Sequence, residues 1–420
     1  MKSTAVIDSS EPALTTIPAR NTATQGVSPL LKQRAISYYA AYFSLGAMVS
    51  ALGPMLPALA RQTGSQLKEI SSLFISRSLG YVLGSFLAGR LYDRARGHRV
   101  LMTALISLAA LTTLTSQAPF LWTLAILFLL QGLAGSGISV GGNTLMMRAL
   151  HGMEPARAGK RLGGLHFCWG VGAFLSPIIF AWLMNRMGTL LWPSLALGLL
   201  SIPACLLISR TSEPARAPHL ADTGALTPAR LDHVLVGVFI CFFFVYTGTE
   251  ACFGNWIYTY ALTTQLGNTT TAAYLNSAFW GSLTAGRLLA IPLSARLRPR
   301  HILTADLCGG LLSVALMFAF QHSGLALWIA TCGLGLSLAS IFPTTLLFAQ
   351  RRMRLSGSLT GMFYGSASAG AMVMPWGIGQ FFDAVGPQTL IYMTLTGLCA
   401  EFILFVMLMR YPLTTPVRTD

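Results

Sequence analysis

The segment GRLYDRARGHR, residues Gly89–Arg99, lies between two long apolar stretches and carries four arginines. The stretch before it begins near Ile70 and the stretch after it begins near Arg99. Each is long enough for a helix that crosses a lipid bilayer, which takes about 20 residues. A short basic loop between two such stretches indicates a chain that enters the membrane more than once and leaves this loop in water.

Twelve apolar stretches of this kind follow one another along the chain, the first at about Ile36–Ala60 and the last at about Leu390–Met409. We therefore predict an all-α integral membrane protein with twelve transmembrane helices. The helices are predicted to begin near Ile36, Ile70, Arg99, Phe120, Leu162, Leu190, His233, Thr271, His301, Leu325, Gly357 and Gln388.

The charged residues are few and unevenly placed. Only 10% of the residues are charged and the mean hydropathy is +0.62, whereas a soluble domain has about 25% charged residues. The net charge of +15 would suit a nucleic-acid partner, but 23 of the 28 Lys and Arg lie in the two tails and five alternate loops. This asymmetry predicts no nucleic-acid partner, cytoplasmic termini and a multi-pass protein of a bacterial inner (plasma) membrane.

The polar segment between the sixth and seventh stretches divides the chain into two halves of six helices. We predict a disordered cytoplasmic tail over residues 1–34, a first six-helix bundle over 35–210 and a cytoplasmic linker over 211–232. The second bundle follows over 233–411, and a short tail over 412–420. Two similar bundles joined by a linker favour a solute site between them, near the middle of the membrane.

The basic loop after the second stretch resembles the corresponding loop of the major facilitator superfamily, in which Gly, Leu, an Asp-Arg pair, Gly and basic residues recur. Here Gly89, Leu91, Asp93 and Arg94 match, with one extra residue before Gly97. The resemblance implies the major facilitator fold. Asp93 is expected to meet the positive N-terminal end of the helix that begins at residues 356–358, and this contact would latch one conformation.

Further motifs resemble the fucose-permease-like group of that superfamily, near its sodium-dependent glucose transporter-like branch. They are Arg77–Ser85, Gly141–Leu145, Leu165–Phe167 with Gly170–Pro177, Gly248–Glu250, Phe253–Trp256, Phe279–Gly281, Gly286–Leu288 and Met374–Trp376 with Gly379. The resemblance implies a transporter, not an enzyme, that moves a small polar solute, most simply a monosaccharide, by alternating access. No cofactor is expected beyond a coupling ion, H+ or Na+, and we predict a monomer.

The chain departs from related proton-coupled sugar permeases in its first half. Those permeases have an acid near the end of helix 1 and another in helix 4. Helix 1 here reads Ser50–Pro54 without an acid, and Ser139 or Val140 stands at the helix 4 position. Coupling through the first half is therefore not expected.

Ionisable side chains within the apolar stretches are costly in lipid, so each needs a partner or a water-filled face. Glu250 is the main candidate, either as a proton carrier and solute ligand or as the permanent partner of Arg287 on the next helix. Arg77 and Arg287 are candidate gating or structural charges. Asp306 is expected to have a structural role, and Glu401 is expected either to make a local polar contact or to be a neutral acid.

The candidate solute site combines hydrogen-bonding groups with aromatic faces that cover the apolar side of a sugar ring. His166 and Trp169 are about one helical turn apart and can share a face of their helix. The candidate residues are Ser139, Asn143, His166, Trp169, Asn255, Trp256, Asn276 and Tyr364, with Glu250.

Two other functions stay open at this level, besides the identity of the solute, its direction and its coupling ion. An exporter of a metabolite, siderophore or drug-like compound is the alternative, although Phe128 and Ser176–Ile179 lack the residues typical of drug antiporters. A membrane sensor would call for an added signalling domain. The sequence has no phosphate loop, no serine-nucleophile elbow and no metal-ligand spacing, so no metal site is predicted.

Overall fold

The structure, a computed structural model, describes residues 29–215, 232–353 and 357–412, and these residues form helices joined by turns and short loops. The helices are α1 (Pro29–Ser50), α2 (Leu52–Thr63), α3 (Leu67–Ile70), α4 (Ser72–Arg94), α5 (Gly97–Leu114), α6 (Leu121–Ala149), α7 (Pro155–Met187), α8 (Leu191–Leu199), α9 (Ser201–Ser209), α10 (His233–Thr263), α11 (Thr269–Arg296), α12 (Pro299–Ala319), α13 (Gly324–Leu338), α14 (Ile341–Gln350), α15 (Gly357–Val385) and α16 (Thr389–Arg410).

These helices fall at the twelve predicted positions, because four predicted spans are each built from two consecutive helices. The pairs are α1 with α2, α3 with α4, α8 with α9 and α13 with α14. Ten predicted beginnings lie within three residues of the observed ones, whereas α1 and α7 begin about two turns earlier. Hydropathy finds only the part of a helix that lies in lipid, and these two helices continue beyond it. Residues 29–34, predicted as tail, therefore belong to α1.

Within the described ranges, nine helical segments are long and apolar enough to cross a membrane, and the bent pair α1–α2 makes ten if it counts as one span. The other two predicted spans are α11 and α15, which have 28 and 29 residues but are less apolar. Both lie against helices of the other half, α11 on α7 and α15 on α4. Their surroundings are therefore protein as well as lipid, which tolerates small and polar residues.

The two halves repeat one packing arrangement. In the first half α1 packs on α7 and α9, and α6 packs on α4 and α5. In the second half α10 packs on α15 and α16, and α13 packs on α11 and α12, which are the corresponding helices. This repetition agrees with the predicted two bundles, although the predicted domain limits stay a prediction. Most of the predicted linker and tails, residues 1–28, 216–231 and 413–420, lie outside the described residues.

Side chains of other helices bind backbone carbonyls near the breaks in the spans built from two helices, as the α1–α2 and α8–α9 breaks show. α1 and α2 meet at 43° just before Gly53-Pro54. Arg77 donates to the carbonyl of Val49 beside this bend (2.8 Å), and Ser44 donates to Leu200 between α8 and α9 (2.8 Å). Such partners are needed because lipid offers none to a free carbonyl.

The basic loops after α4, α6, α11 and α14 define one end of the molecule, here called the basic end. The linker's first residues are bound there. Arg34 donates to the carbonyls of Ser212 (2.9 Å) and Glu213 (3.1 Å). The Glu213 carboxylate accepts from the Gly97 backbone N–H at the start of α5 (2.7 Å), where a negative charge is favoured by the helix dipole.

A second contact at the basic end joins the beginning of α10 to the end of α16. The Tyr411 hydroxyl lies 2.7 and 2.8 Å from the two Asp232 carboxylate oxygens. This hydrogen bond, followed by the one from the Leu235 backbone N–H, lowers the pKa of Asp232. Asp232 is therefore the N-cap of α10 and holds the last helix of the chain beside it.

The halves meet at the other end, here called the closed end, and part toward the basic end. Asn185 donates to Thr270 across the α7–α11 contact (2.8 Å), and Gln380 donates to the Lys68 carbonyl across the α15–α3 contact (3.1 Å). A Cβ atom on Gly379 of α15 would collide with Ser71. A Cβ atom on Gly361, nearer the basic end of the same helix, would have nothing within 4 Å. The structure is thus open at the basic end.

Candidate functional site

Polar side chains of the first half meet where the opening reaches the middle of the molecule. The Tyr42 hydroxyl of α1 donates to the Ser139 carbonyl of α6 (2.6 Å). Asn143 donates to the Tyr42 oxygen and to the same carbonyl (3.1 Å), so its own amide oxygen stays free to accept. His166 of α7 packs its ring edge-on against Tyr42, with ring centroids 5.9 Å apart. The predicted residues Ser139, Asn143 and His166 are therefore brought together.

Two further tyrosines face this cluster. Tyr81 of α4 lies beside Ser139, and Tyr364 of α15 is close enough to interact electrostatically with both Tyr81 and Tyr42. Tyr364 is 52% exposed although it belongs to a central helix, which is expected of a side chain that borders an opening. Since Tyr364 belongs to the second half, the cluster draws on both bundles, as an alternating-access site requires.

An indole pair forms the floor of this opening. Trp169 of α7 packs edge-on against Trp280 of α11, with ring centroids 5.5 Å apart. Next to the pair, a Cβ atom on Gly170 would collide with Thr284. The two halves are thus in van der Waals contact directly below the polar cluster, and the contact separates the cluster from the closed end.

Glu250 and Arg287 form an ion pair on the second half's side of the opening. The Arg287 guanidinium lies 3.7 Å from the Glu250 carboxylate, and both side chains are only partly exposed, 29% and 14%. The Tyr246 hydroxyl lies 2.5 Å from the other Glu250 oxygen and 2.9 Å from the Leu338 carbonyl, at the end of α13. Arg287 also acts electrostatically on His166, so the ion pair borders the first-half cluster.

Three predicted site residues lie elsewhere in this conformation, within the layer toward the closed end. Asn255 donates to Ala251 in its own helix, and its backbone packs on Gly53 of α2. Trp256 is fully buried and donates to the Pro375 carbonyl (3.0 Å). Asn276 is equally buried and donates to the Gly254 carbonyl. Trp256 and Asn276 thus link α10 to α15 and α11, while Asn255 is satisfied within α10, because buried amides and indoles need partners.

The remaining predicted charges lie away from the opening's polar cluster. Arg77 lies beside the α1–α2 bend, as described above. Asp93 pairs with Arg148 of α6 at 3.6 Å in its own half, and Arg94 is exposed. The predicted contact of Asp93 with residues 356–358 falls largely on residues whose placement or side chains the structure does not describe, so it stays a prediction. Asp306 accepts from Ser340 at the α13–α14 break.

Tyr42, Tyr81 and Tyr246 are the site residues that the sequence analysis did not assign to the site. The sequence feature that could have identified them is their position within the spans. Tyrosines of an interfacial belt occur near the ends of a span, whereas these three lie in the interior of α1, α4 and α10. A phenol at such a depth needs a polar partner or water, and each of the three has one. In the part of the chain that the structure describes, no group of His, Cys, Asp and Glu has the arrangement of a metal site.

The sequence is similar to a large family of membrane transporters over most of its length. The family profile described as Major Facilitator Superfamily matches residues 38–375. Sodium-dependent glucose transporter 1A of Mus musculus is 29% identical, over 81% of this chain and 88% of the relative. Major facilitator superfamily domain-containing protein 4A of Homo sapiens is 26% identical, over 92% of this chain and 94% of the relative.

Solved structures share the fold at lower sequence identity. The nucleoside transporter NupG superposes with a TM-score of 0.69 at 15% identity, over 92% of this chain and all of that one. A bacterial homologue of the human lysosomal transporter Spinster, in an inward-facing and occupied conformation, superposes with a TM-score of 0.71 at 12% identity, over 94% of this chain and all of that one. These likenesses concern the fold alone.

Proposed function

This chain belongs to the Major Facilitator Superfamily, and on that premise we propose that it carries a monosaccharide across the membrane by alternating access, with Glu250 as the coupling acid. The observation that supports the proposal most is the cluster of Tyr42, Asn143, His166 and Trp169 against the Glu250–Arg287 pair, at the end of an opening between the halves. Relatives described as sodium-dependent glucose transporters, matched over four-fifths of the chain, support a sugar.

The chemistry of the cluster suits a small polyhydroxylated ring. Asn143 offers an amide oxygen as acceptor, because its N–H groups are bound by Tyr42 and Ser139. His166 is exposed to the opening and can donate or accept at its ring nitrogens. Trp169 offers an indole face to the apolar side of the ring. A site of this kind discriminates against solutes that lack hydroxyls, since its buried polar groups would then be left unpaired.

The protonation state of Glu250 determines which hydrogen bonds Tyr246 can make, including its bond to the end of α13. The Tyr246 hydroxyl has one proton but two neighbouring acceptors, the Glu250 carboxylate and the Leu338 carbonyl. With Glu250 ionised, only one acceptor receives it. With Glu250 protonated, the carboxyl donates to Tyr246 and Tyr246 donates to Leu338, so all are satisfied. Protonation also removes the attraction to Arg287. Proton binding therefore rearranges contacts on α10, α11 and α13 together.

The orientation that we propose places the basic end and both termini in the cytoplasm of a bacterial inner membrane. The positive-inside pattern of the loops supports this orientation. The described conformation is then inward-open, with the closed end toward the outside. Loading from the outside requires the contacts of Asn185 and Gln380 to separate while the basic ends approach each other. The Trp169–Trp280 pair would part in the same movement.

Counterflow in proteoliposomes tests the proposed function. Purified protein is reconstituted with unlabelled hexose or deoxyhexose inside, labelled sugar is added outside, and no ion gradient is imposed. Transient accumulation of label is expected for at least one sugar and not in protein-free vesicles. Proton and sodium gradients are then imposed separately on that sugar. If folded protein shows no counterflow across the sugar panel, the proposal fails and export of another metabolite becomes the better hypothesis.

A further inference from the structure

A second carboxyl group lies behind Glu250, on the side of α10 that faces away from the opening. Glu401 of α16 is 0% exposed, and neither of its carboxyl oxygens has a hydrogen-bond partner among the described residues. An ionised carboxylate without a partner at this depth is very costly. A buried acid in such a place is neutral, which means that it holds a proton.

The neighbouring threonine supports the same protonation state. α16 packs closely on α10 at this level, since a Cβ atom on Gly397 would collide with the Thr249 hydroxyl. Glu401 is one turn further along α16, and its carboxyl faces Thr249. The Thr249 proton is already donated to the Val245 carbonyl (2.8 Å). The Thr249 oxygen can therefore only accept, and only a protonated Glu401 can donate to it.

Glu401 is electrostatically linked to the ion-paired acid at the opening. The titratable groups that act on it come from α10, namely Glu250 and Tyr246. On its other sides α16 makes apolar contacts, with Leu398 against Gly310 of α12 and Met393 against Gly377 of α15. Thr249 and Glu250 are consecutive, so the two acids occupy adjacent faces of one helix. Two nearby carboxylates oppose each other's ionisation, so the pair favours holding one proton.

We propose that Glu401 is a second proton-binding site of the transport cycle, coupled to Glu250 across α10. The proposal rests on the proposed function of Glu250 as coupling acid. In the described conformation Glu250 is paired with Arg287, while Glu401 holds the proton as a neutral acid. In this step an O–H bond of a hydronium ion in the opening breaks, which leaves water, and the proton forms an O–H bond on the Glu401 carboxylate. Because Glu401 has no exposure of its own, it exchanges this proton with the opening through Glu250.

Infrared spectroscopy of the purified protein tests the protonation state without any solute. Protonated carboxyls give a carbonyl stretch, and one component of it, here called the Glu401 band, is expected in the wild type at neutral pH and should be lost in Glu401→Gln, whereas any component from Asp306 should remain. Gln has the shape of the neutral acid, so this variant should unfold at the wild-type temperature. Glu154→Gln, which removes an exposed acid paired with Arg157, is the matched control and should keep the Glu401 band. A spectrum of Glu401→Gln that keeps this component overturns the proposal.

Transport assays then test whether the proton on Glu401 is released and rebound during transport or stays bound throughout. Glu401→Gln should retain counterflow. The limiting accumulation of sugar should fall about tenfold for each unit of the pH gradient, because one coupled proton contributes that factor. Unchanged accumulation despite loss of the Glu401 band would make Glu401 a static neutral acid and overturn the proposal. Loss of accumulation under a sodium gradient alone would assign the site to sodium and also overturn it. If Glu401→Gln does not fold, Thr249→Val serves instead: it removes the acceptor of the Glu401 proton and should shift the Glu401 band, and an unmoved band would overturn the proposal. Failure of wild-type counterflow would count against the proposed function instead.

Discussion

The Glu250 carboxylate lies 3.7 Å from the Arg287 guanidinium, and this ion pair joins α10 to α11 beside the opening between the halves. One of its members also contacts Tyr246, whose hydroxyl reaches the end of α13. Three helices of the second half thus depend on one charge. Breaking a partly buried pair from one side costs more than the pair itself contributes, because the other charge is left without a partner.

Tyr246→Phe should uncouple accumulation from the proton gradient with little effect on exchange. The variant removes the donor to Glu250 and leaves the Leu338 carbonyl without its side-chain partner. A hydrogen bond to a charged group is worth about 1.5–3 kcal/mol, so accumulation driven by a pH gradient should fall about tenfold or more. Tyr260→Phe, at a buried position near the other end of α10, is the matched control. Equal accumulation in the two variants would count against the role of Tyr246.

Asn143→Ala and His166→Ala should weaken solute binding while the folded yield stays near normal. Each removes one hydrogen-bonding group from the cluster, which corresponds to about tenfold in affinity. Counterflow at varied sugar concentration measures the effect. Gln131→Ala removes a buried amide of α6 that bonds the Leu111 carbonyl, and it should leave the affinity unchanged. Loss of folding in the two cluster variants would show that Asn143 and His166 serve only the packing of the first half.

Gly379→Ala should shift the protein away from the inward-open conformation. A Cβ atom there collides with Ser71, so it forces α15 from the first half at the closed end. Thr259, almost fully buried near this end, reports the change when Thr259→Cys is placed in a cysteine-free chain. Its rate of alkylation by a polar reagent should rise several-fold in Gly379→Ala, by a population shift of about 1 kcal/mol. Gly361→Ala, with open space around it, should leave the rate unchanged.

Glu213→Gln should destabilise the first half without changing transport specificity. The Glu213 carboxylate accepts from the Gly97 backbone N–H at the start of α5, where its charge also interacts with the helix dipole. Loss of that charge should cost about 1 kcal/mol and lower the thermal unfolding midpoint in detergent. Glu154→Gln removes an exposed ion pair and should change the midpoint little. Equal midpoints for the two variants would show that the cap contributes no stability.

The fold could be predicted from the sequence because lipid imposes a strong pattern. Hydropathy located the helices, whereas the orientation that the alternating basic loops predict stays a prediction. The family motifs and the Glu250–Arg287 contact were also predictable, since costly charges in neighbouring spans need partners. α11 and α15 show the limit of composition, because protein neighbours reduce the need for apolar residues.

The site could be predicted only in part. Asn143, His166 and Trp169 meet as expected, but Asn255, Trp256 and Asn276 pack in the layer toward the closed end. Residue type cannot separate the two cases, since a buried amide satisfies the same need with a backbone carbonyl or with a solute. The Ser139 carbonyl is 97 residues from Tyr42 and the Leu338 carbonyl is 92 residues from Tyr246, so these two contacts depend on helix packing.

The most direct test of the account is the behaviour of Glu250→Gln in proteoliposomes, measured as sugar counterflow and as accumulation driven by a pH gradient. The variant cannot release a proton at position 250 or pair ionically with Arg287. We predict that counterflow is retained and that accumulation falls to the equilibrium level. Accumulation equal to that of the wild type would contradict the account, because the proton would then be carried elsewhere.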